Sequence, residues 1–126
     1  MMELIEDLPA DTVGIASRGK ITQEDYERVI IPAVEKRLKT HDKIKLLYVM
    51  EQFDGMELAA MWEDTTFGIK HWTDFSHLAL VTDVDWVRHM TAFFAWMIPA
   101  EVKMFPDGEV EAARLWLATA AQKKAA

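Results

Sequence analysis

Between Lys43 and Trp72 a nearly continuous apolar run, Ile44, Leu46, Leu47, Tyr48 and Val49, gives way at Asp54-Gly55 to apolar residues recurring at helical spacing. A short continuous run of this kind is the pattern of a strand covered on both faces, as in a parallel sheet. Helical positions advance by about 100° per residue, so Leu58, Met61, Trp62, Thr65, Ile69 and Trp72 share one stripe while Glu63, Asp64, Lys70 and His71 fall elsewhere. Strand, tight turn and amphipathic helix make half of a βαβ unit, and the other elements take their places around it.

Residues 3–8 and 12–18 read as two short strands joined across Pro9-Ala10-Asp11, an antiparallel hairpin opening the fold. Thr22 is a good N-cap, with Asp25 in the capping-box position and Ile21 placed to staple onto Tyr26. The helix that follows buries Tyr26, Val29, Ile30, Ala33, Val34 and Leu38. Pro32 lacks an N–H and crowds the preceding turn, which predicts a kink or a helix whose regular course starts only there. Lys36, Arg37, Lys39 and His41 gather at its carboxyl end, where positive charge suits the helix dipole and a solvated end accounts for them.

Residues 77–82 predict a second buried strand, and Asp83 or Asp85 caps a helix through Ile98 that Pro99 stops. That helix is greasy. Trp86, Val87, Met90, Phe93, Phe94, Met97 and Ile98 make a wide stripe, Trp96 and His89 lie at its margin, and Arg88 alone is charged on the far side. Such a helix is either covered by its own domain or meets a second subunit. Residues 101–105 form a last strand, Asp107-Gly108 turns the chain, and Val110, Ala113, Leu117 and Ala121 line a closing helix. The order ββαβαβαβα predicts an α/β fold: an N-terminal hairpin, then repeated βα units in a mostly parallel sheet with packed helices. Residues 1–121 form one domain, with 122–126 a fraying tail.

Composition narrows the partners. A net charge of −7 opposes nucleic-acid phosphates and anionic membrane surfaces alike. The absence of cysteine excludes disulfides and thiolate metal sites and suits a reducing compartment. No signal peptide is read at the start, and the longest uncharged apolar tract, 91–100, is half of the ~20 residues a bilayer span needs. A cytoplasmic protein without an integral membrane segment is expected.

In open α/β sheets ligands collect beyond the carboxyl ends of the strands. That rim comprises Arg18-Gly19-Lys20, residues 51–55, Thr82-Asp83 and Pro106-Asp107-Gly108. Its carboxylates Asp54, Asp83 and Asp107 could raise one another's pKa or hold a hard cation, but each precedes a helix, and N-capping accounts for them. The histidines His41, His71, His77 and His89 show no metal-ligand spacing, and no phosphate loop or nucleophile elbow occurs. Ser17 and Ser76 lie in or beside strands without a local base. No catalytic residue, metal or cofactor is assigned.

Five tryptophans and eight methionines remain. Tryptophan brings large apolar area and methionine adapts to irregular partners, so those not needed in the core are candidate contacts. Phe67 falls opposite the central helix stripe, and Trp96 and Trp116 fall at the edges of theirs. The candidate ligand or partner residues are Met61, Trp62, Phe67, Trp72, Trp86, Met90, Phe93, Trp96 and Met97.

The order of elements, together with Lys43-Ile44-Lys45-Leu46-Leu47-Tyr48-Val49, Phe53-Asp54-Gly55, Met61-Trp62, Lys70-His71-Trp72, Val81-Thr82-Asp83-Val84-Asp85-Trp86 and Phe105-Pro106, resembles the SpoIIAA-like family over almost the whole chain. That family is grouped with STAS domains, the fold of anti-sigma-factor antagonists, and is similar to CRAL-TRIO lipid-binding domains. The resemblance implies helices layered on a sheet, a small cytoplasmic protein and frequently a homodimer. Antagonist STAS domains carry a phosphorylatable Ser or Thr between the central strand and helix; here Phe53-Asp54-Gly55-Met56 stands there, and no Ser or Thr occurs between His41 and Asp64. Phosphorylation-driven partner switching at that turn therefore lacks its acceptor.

Two functional readings follow. The first is a non-enzymatic, homodimeric STAS-like module that engages a protein partner or a small lipid-like molecule through its Met- and Trp-rich helices. The second is a small enzyme with Asp54 or Asp83 as base and Lys20 or Arg18 holding an anionic substrate.

Overall fold

The computed structural model describes residues 2–57, 66, 70, 71 and 73–125. Five strands make the main sheet: β1 (Met2–Ile5), β2 (Thr12–Ser17), β4 (Ile44–Met50), β6 (Phe75–Val81) and β7 (Glu101–Phe105), in the order β1-β2-β4-β6-β7. β1 is antiparallel to β2 and every later pairing is parallel, as the hairpin and the buried apolar runs predict. Two short strands absent from the sequence reading, β3 (Lys20–Ile21) and β5 (Gly55–Met56), form a separate parallel pair. They clip together the loops that follow β2 and β4. Gly55 sits there at a φ of +122°, which a side chain would strain.

Because the sheet always steps in one direction, right-handed crossovers bring the helices that connect β2 to β4 and β6 to β7 to one face. Helix α1 spans 23–38 and packs there with Val13, Ile15 and Ile44. Helix α2 (Asp85–Phe94) continues as a 3-10 turn over Ala95–Met97 and sends Val87 into the same cluster. Helix α3 (Val110–Ala125) covers the opposite face, where Ala113 and Leu117 meet Leu47, Val49, Ala79, Val81 and Phe105. The helical assignment includes residues 122–125, the start of the segment read as a tail.

The N-terminal signals of α1 act as read. Asp25 N–H donates to Thr22 Oγ1 at 3.1 Å and Thr22 N–H donates to Asp25 Oδ2 at 2.9 Å, closing the capping box. Pro32 leaves its mark one turn upstream. Tyr26–Ile30 is a π turn, in which Ile31 N–H donates to the Tyr26 carbonyl, and regular α-helix runs only over Ile31–Leu38 with Pro32 in its first turn. One extra residue in the turn accommodates a position that offers no donor.

Two readings are corrected. The first strand ends at Ile5, not Leu8, because Asp7 adopts a φ of +61° and turns the chain away from β2. Neither Asp83 nor Asp85 caps α2: its N-cap is Val84, whose N–H donates to Thr82 Oγ1 at 3.1 Å, and Asp85 is the first helical residue. The predicted helix after β5 falls largely outside the described residues, although Thr66 and Lys70 are helical.

Candidate functional site

Of the candidate contact residues, Met61, Trp62, Phe67 and Trp72 lie outside the described residues. The other five all belong to α2 and its 3-10 extension. Trp86 is 53%, Met90 51%, Phe93 69%, Trp96 80% and Met97 46% exposed. Among the described residues seven large hydrophobic side chains are exposed, so all but Leu4 and Leu115 cluster in this one segment.

The helix is turned the unexpected way. Its inward positions, Val84, Val87, Arg88, Thr91, Ala95 and Ile98, are half-buried and mostly small. Arg88 lies among them instead of pointing to solvent: its Nη1 donates to the carbonyl oxygens of Thr82 at 2.9 Å and Phe105 at 3.3 Å. A guanidinium anchored to the ends of β6 and β7 fixes the roll of α2, and the bulky stripe spaced at i, i+4, i+7 and i+11 is left outside. Phe53 meets the near edge of the patch, its ring edge-on to Trp86 with centroids 5.0 Å apart. His89 is the single ionisable group on the outer side between Trp86 and Met97.

Trp116 is otherwise. The sequence leaves it at the margin of its helix, yet it is half-buried, tilted against Phe105 and edge-on to His77 at 5.6 Å. It belongs to the α3 side of the core. Helical angle alone does not register the cross-sheet partners that decide such a case.

Two of the strand-end carboxylates hold loop partners. Asp83 Oδ1 accepts the Asp107 N–H at 3.0 Å, which joins the loops after β6 and β7. Asp54 accepts from its neighbour Gln52 Nε2 with both oxygens, at 3.0 and 2.9 Å. Arg18 is exposed and pairs with Glu51 at 3.3 Å, and Lys20 is exposed on β3. Among the described residues no three His, Cys, Asp or Glu side chains are grouped as a metal site would require.

A base does lie beside one of the serines. His77 Nδ1 is 2.9 Å from Ser76 Oγ and its Nε2 is 3.2 Å from Glu101 Oε2. The sequence offers Ser76 no local base, because adjacent residues of a strand project to opposite faces and spacing alone does not bring them together. Ser76 Oγ also reaches the Ile44 carbonyl at 3.4 Å, so the series links β4, β6 and β7 side by side. Ser17 is buried, and its hydroxyl has no hydrogen-bond partner among the described residues.

Residues 12–118 of this mostly parallel five-stranded sheet with helices on both faces match a family model described as SpoIIAA-like. The chain belongs to the SpoIIAA-like family. A similar solved structure is that of an uncharacterized protein of the DUF3478 family with a SpoIIAA-like fold, from Shewanella loihica PV-4. It is 30% identical, with a TM-score of 0.75, covering 92% of this chain and 93% of that one. No curated protein matches the chain in sequence. Among the described residues of this SpoIIAA-like chain no helix is long and apolar enough to cross a membrane.

Proposed function

We propose that this SpoIIAA-like chain is a non-enzymatic interaction module that associates as a cytoplasmic homodimer through the outer face of α2. The observation that carries it is the exposure of Trp86, Met90, Phe93, Trp96 and Met97 on one side of a helix anchored by Arg88 on the other. Their side chains expose on the order of 700 Å², near the ~800 Å² that each partner contributes to a standard interface and above a typical monomer's largest patch. Self-association of a chain carrying −7 charges needs a surface with few carboxylates, and this stripe has none beyond Asp85 at its start. A protein partner or a lipid-like molecule on the same face is the competing occupant.

Sedimentation velocity and native mass spectrometry at about 1–50 µM test the proposal, a range in which a dimer of micromolar affinity is populated. A dimer that Phe93→Glu or Trp96→Glu converts to folded monomer supports it. A wild-type chain that stays monomeric at the upper concentration removes it. A stoichiometric lipid found by solvent extraction and mass spectrometry of the purified protein replaces it with the ligand reading.

A further inference from the structure

The geometry points to a second docking place, independent of α2: an extended protein segment adds as a new strand to the outer edge of β1, laying an apolar side chain between β1 and α1. Among the described residues β1 pairs with β2 alone and ends the main sheet. Its register sets Leu4 opposite Ile15, which puts the Leu4 side chain on the face that carries α1, where it is nevertheless 48% exposed. Beside it runs a groove of about 430 Å³, floored by Leu4, Leu8, Val29, Pro32 and Ala33. An edge strand flanking a helix across an apolar trough is the arrangement in which strand addition supplies main-chain hydrogen bonds and the trough supplies side-chain selection.

The two ends of the sheet differ in how they are guarded. Natural edges are blunted by lysine, proline, bulges or charge. The β7 edge carries exposed Glu101 and Lys103. β1, reading Met2-Glu3-Leu4-Ile5, has neither lysine nor proline, and Glu3, in register with Ala16, projects to the opposite face from the groove. Nothing charged on β1 stands over the trough.

Charge selects the occupant. On the helix side Arg28 and Lys36 are exposed along the groove. Arg28 holds only an exposed pairing with Glu24, of the kind that contributes little, whereas Arg37 is engaged with the Thr12 carbonyl. Glu6 and Asp7, which follow the strand, also line the groove, against the three cations Arg28, Lys36 and Arg37. The fitting segment therefore presents an apolar residue toward Leu4 and Val29, with an acidic residue two positions away on the same face to meet Arg28 or Lys36.

The test uses two blocked hexapeptides, Thr-Glu-Thr-Val-Thr-Glu and its lysine counterpart Thr-Lys-Thr-Val-Thr-Lys, titrated into the full chain. Binding is read by fluorescence anisotropy and by amide chemical shifts. The acidic peptide is expected to bind at least tenfold more tightly, to shift the amides of Glu3, Leu4, Ile5, Val29 and Lys36, and to lose at least tenfold in affinity with Leu4→Lys or Lys36→Glu. If Leu4→Lys fails to fold, Lys36→Glu, at an exposed helical position, carries the comparison alone. Equal affinity for the two peptides, shifts confined to α2, or β1-to-β1 pairing between two copies would overturn the inference. Sedimentation of Lys36→Glu is expected to match that of wild type, so a monomeric wild type would remove the α2 dimer and leave this result standing.

Discussion

Arg88 Nη1 donates to the carbonyl oxygen of Thr82 at 2.9 Å, and the same nitrogen reaches the Phe105 carbonyl oxygen at 3.3 Å. One side chain on α2 thereby ties the carboxyl ends of β6 and β7, and it does so from a half-buried position. Hydrogen bonds to a charged group contribute about 1.5–3 kcal/mol, so Arg88→Met is expected to lower unfolding free energy by about that amount in urea titrations. Arg88→Lys is expected to recover only part, since a lysine ammonium lacks the planar fork of the guanidinium. Faster amide exchange confined to α2 and the two strand ends is the local sign of the same loss.

Gly14 lies where the hairpin leaves no room for a side chain. A Cβ built there meets Leu8 Cδ1 at 2.4 Å and Ile5 Cβ at 2.7 Å. Leu8 could swing its terminal methyl aside, but the Ile5 Cβ is fixed to the backbone of β1. Gly14→Ala is therefore expected to destabilise by about 1–3 kcal/mol, the range for overpacking, as read from the thermal midpoint. Adding Leu8→Ala is expected to restore none of the Ile5 contribution.

The α/β order was legible because the inner strands are predominantly apolar runs, interrupted at single positions such as Lys45 and His77, and because α1 carries a local start signal in Thr22 with Asp25. Two kinds of feature were not. Short pairings such as β3 with β5 depend on two loops meeting in space, and neither loop has a pattern of its own. Side-chain roles fixed by a distant partner were also hidden: Arg88 looks like a solvent-facing charge until Thr82 and Phe105 are brought beneath it. Trp116 looks marginal until His77 and Phe105 take it in. The apolar residues of 86–97 were visible as a stripe, but which side of the helix would be covered was not, because that depends on what anchors the other side.

Lys45 is buried, with Nζ 3.1 Å from the Leu117 carbonyl oxygen and 3.4 Å from Asp11 Oδ2. Removing one member of such a pair leaves the other charge in a poor solvent, whereas replacing the cation by an apolar side chain of similar length removes the problem altogether. Asp11→Ala is expected to cost about 1–3 kcal/mol, less than a fully buried pair because Asp11 is partly exposed. Lys45→Met is expected to be closer to neutral. Urea denaturation of both single variants and the double variant checks the order, and a Lys45→Met variant weaker than Asp11→Ala would contradict it.

The two sides of α2 make opposite predictions for one kind of substitution. Val87 packs into the α1 side of the core, so Val87→Glu forces a carboxylate into an apolar contact and is expected to cost about 2 kcal/mol or more. Phe93 and Trp96 are 69% and 80% exposed, so a charge placed there keeps most of its hydration in the single chain. Phe93→Glu and Trp96→Glu are expected to change the unfolding free energy by about 0.5 kcal/mol or less, measured at concentrations below self-association. Their effect is expected at higher concentration instead, where the wild-type midpoint rises with protein concentration by mass action and the variants' midpoints stay flat. A concentration-independent wild type, or outer-face variants as unstable as Val87→Glu, would mean that the stripe is sheltered within one chain.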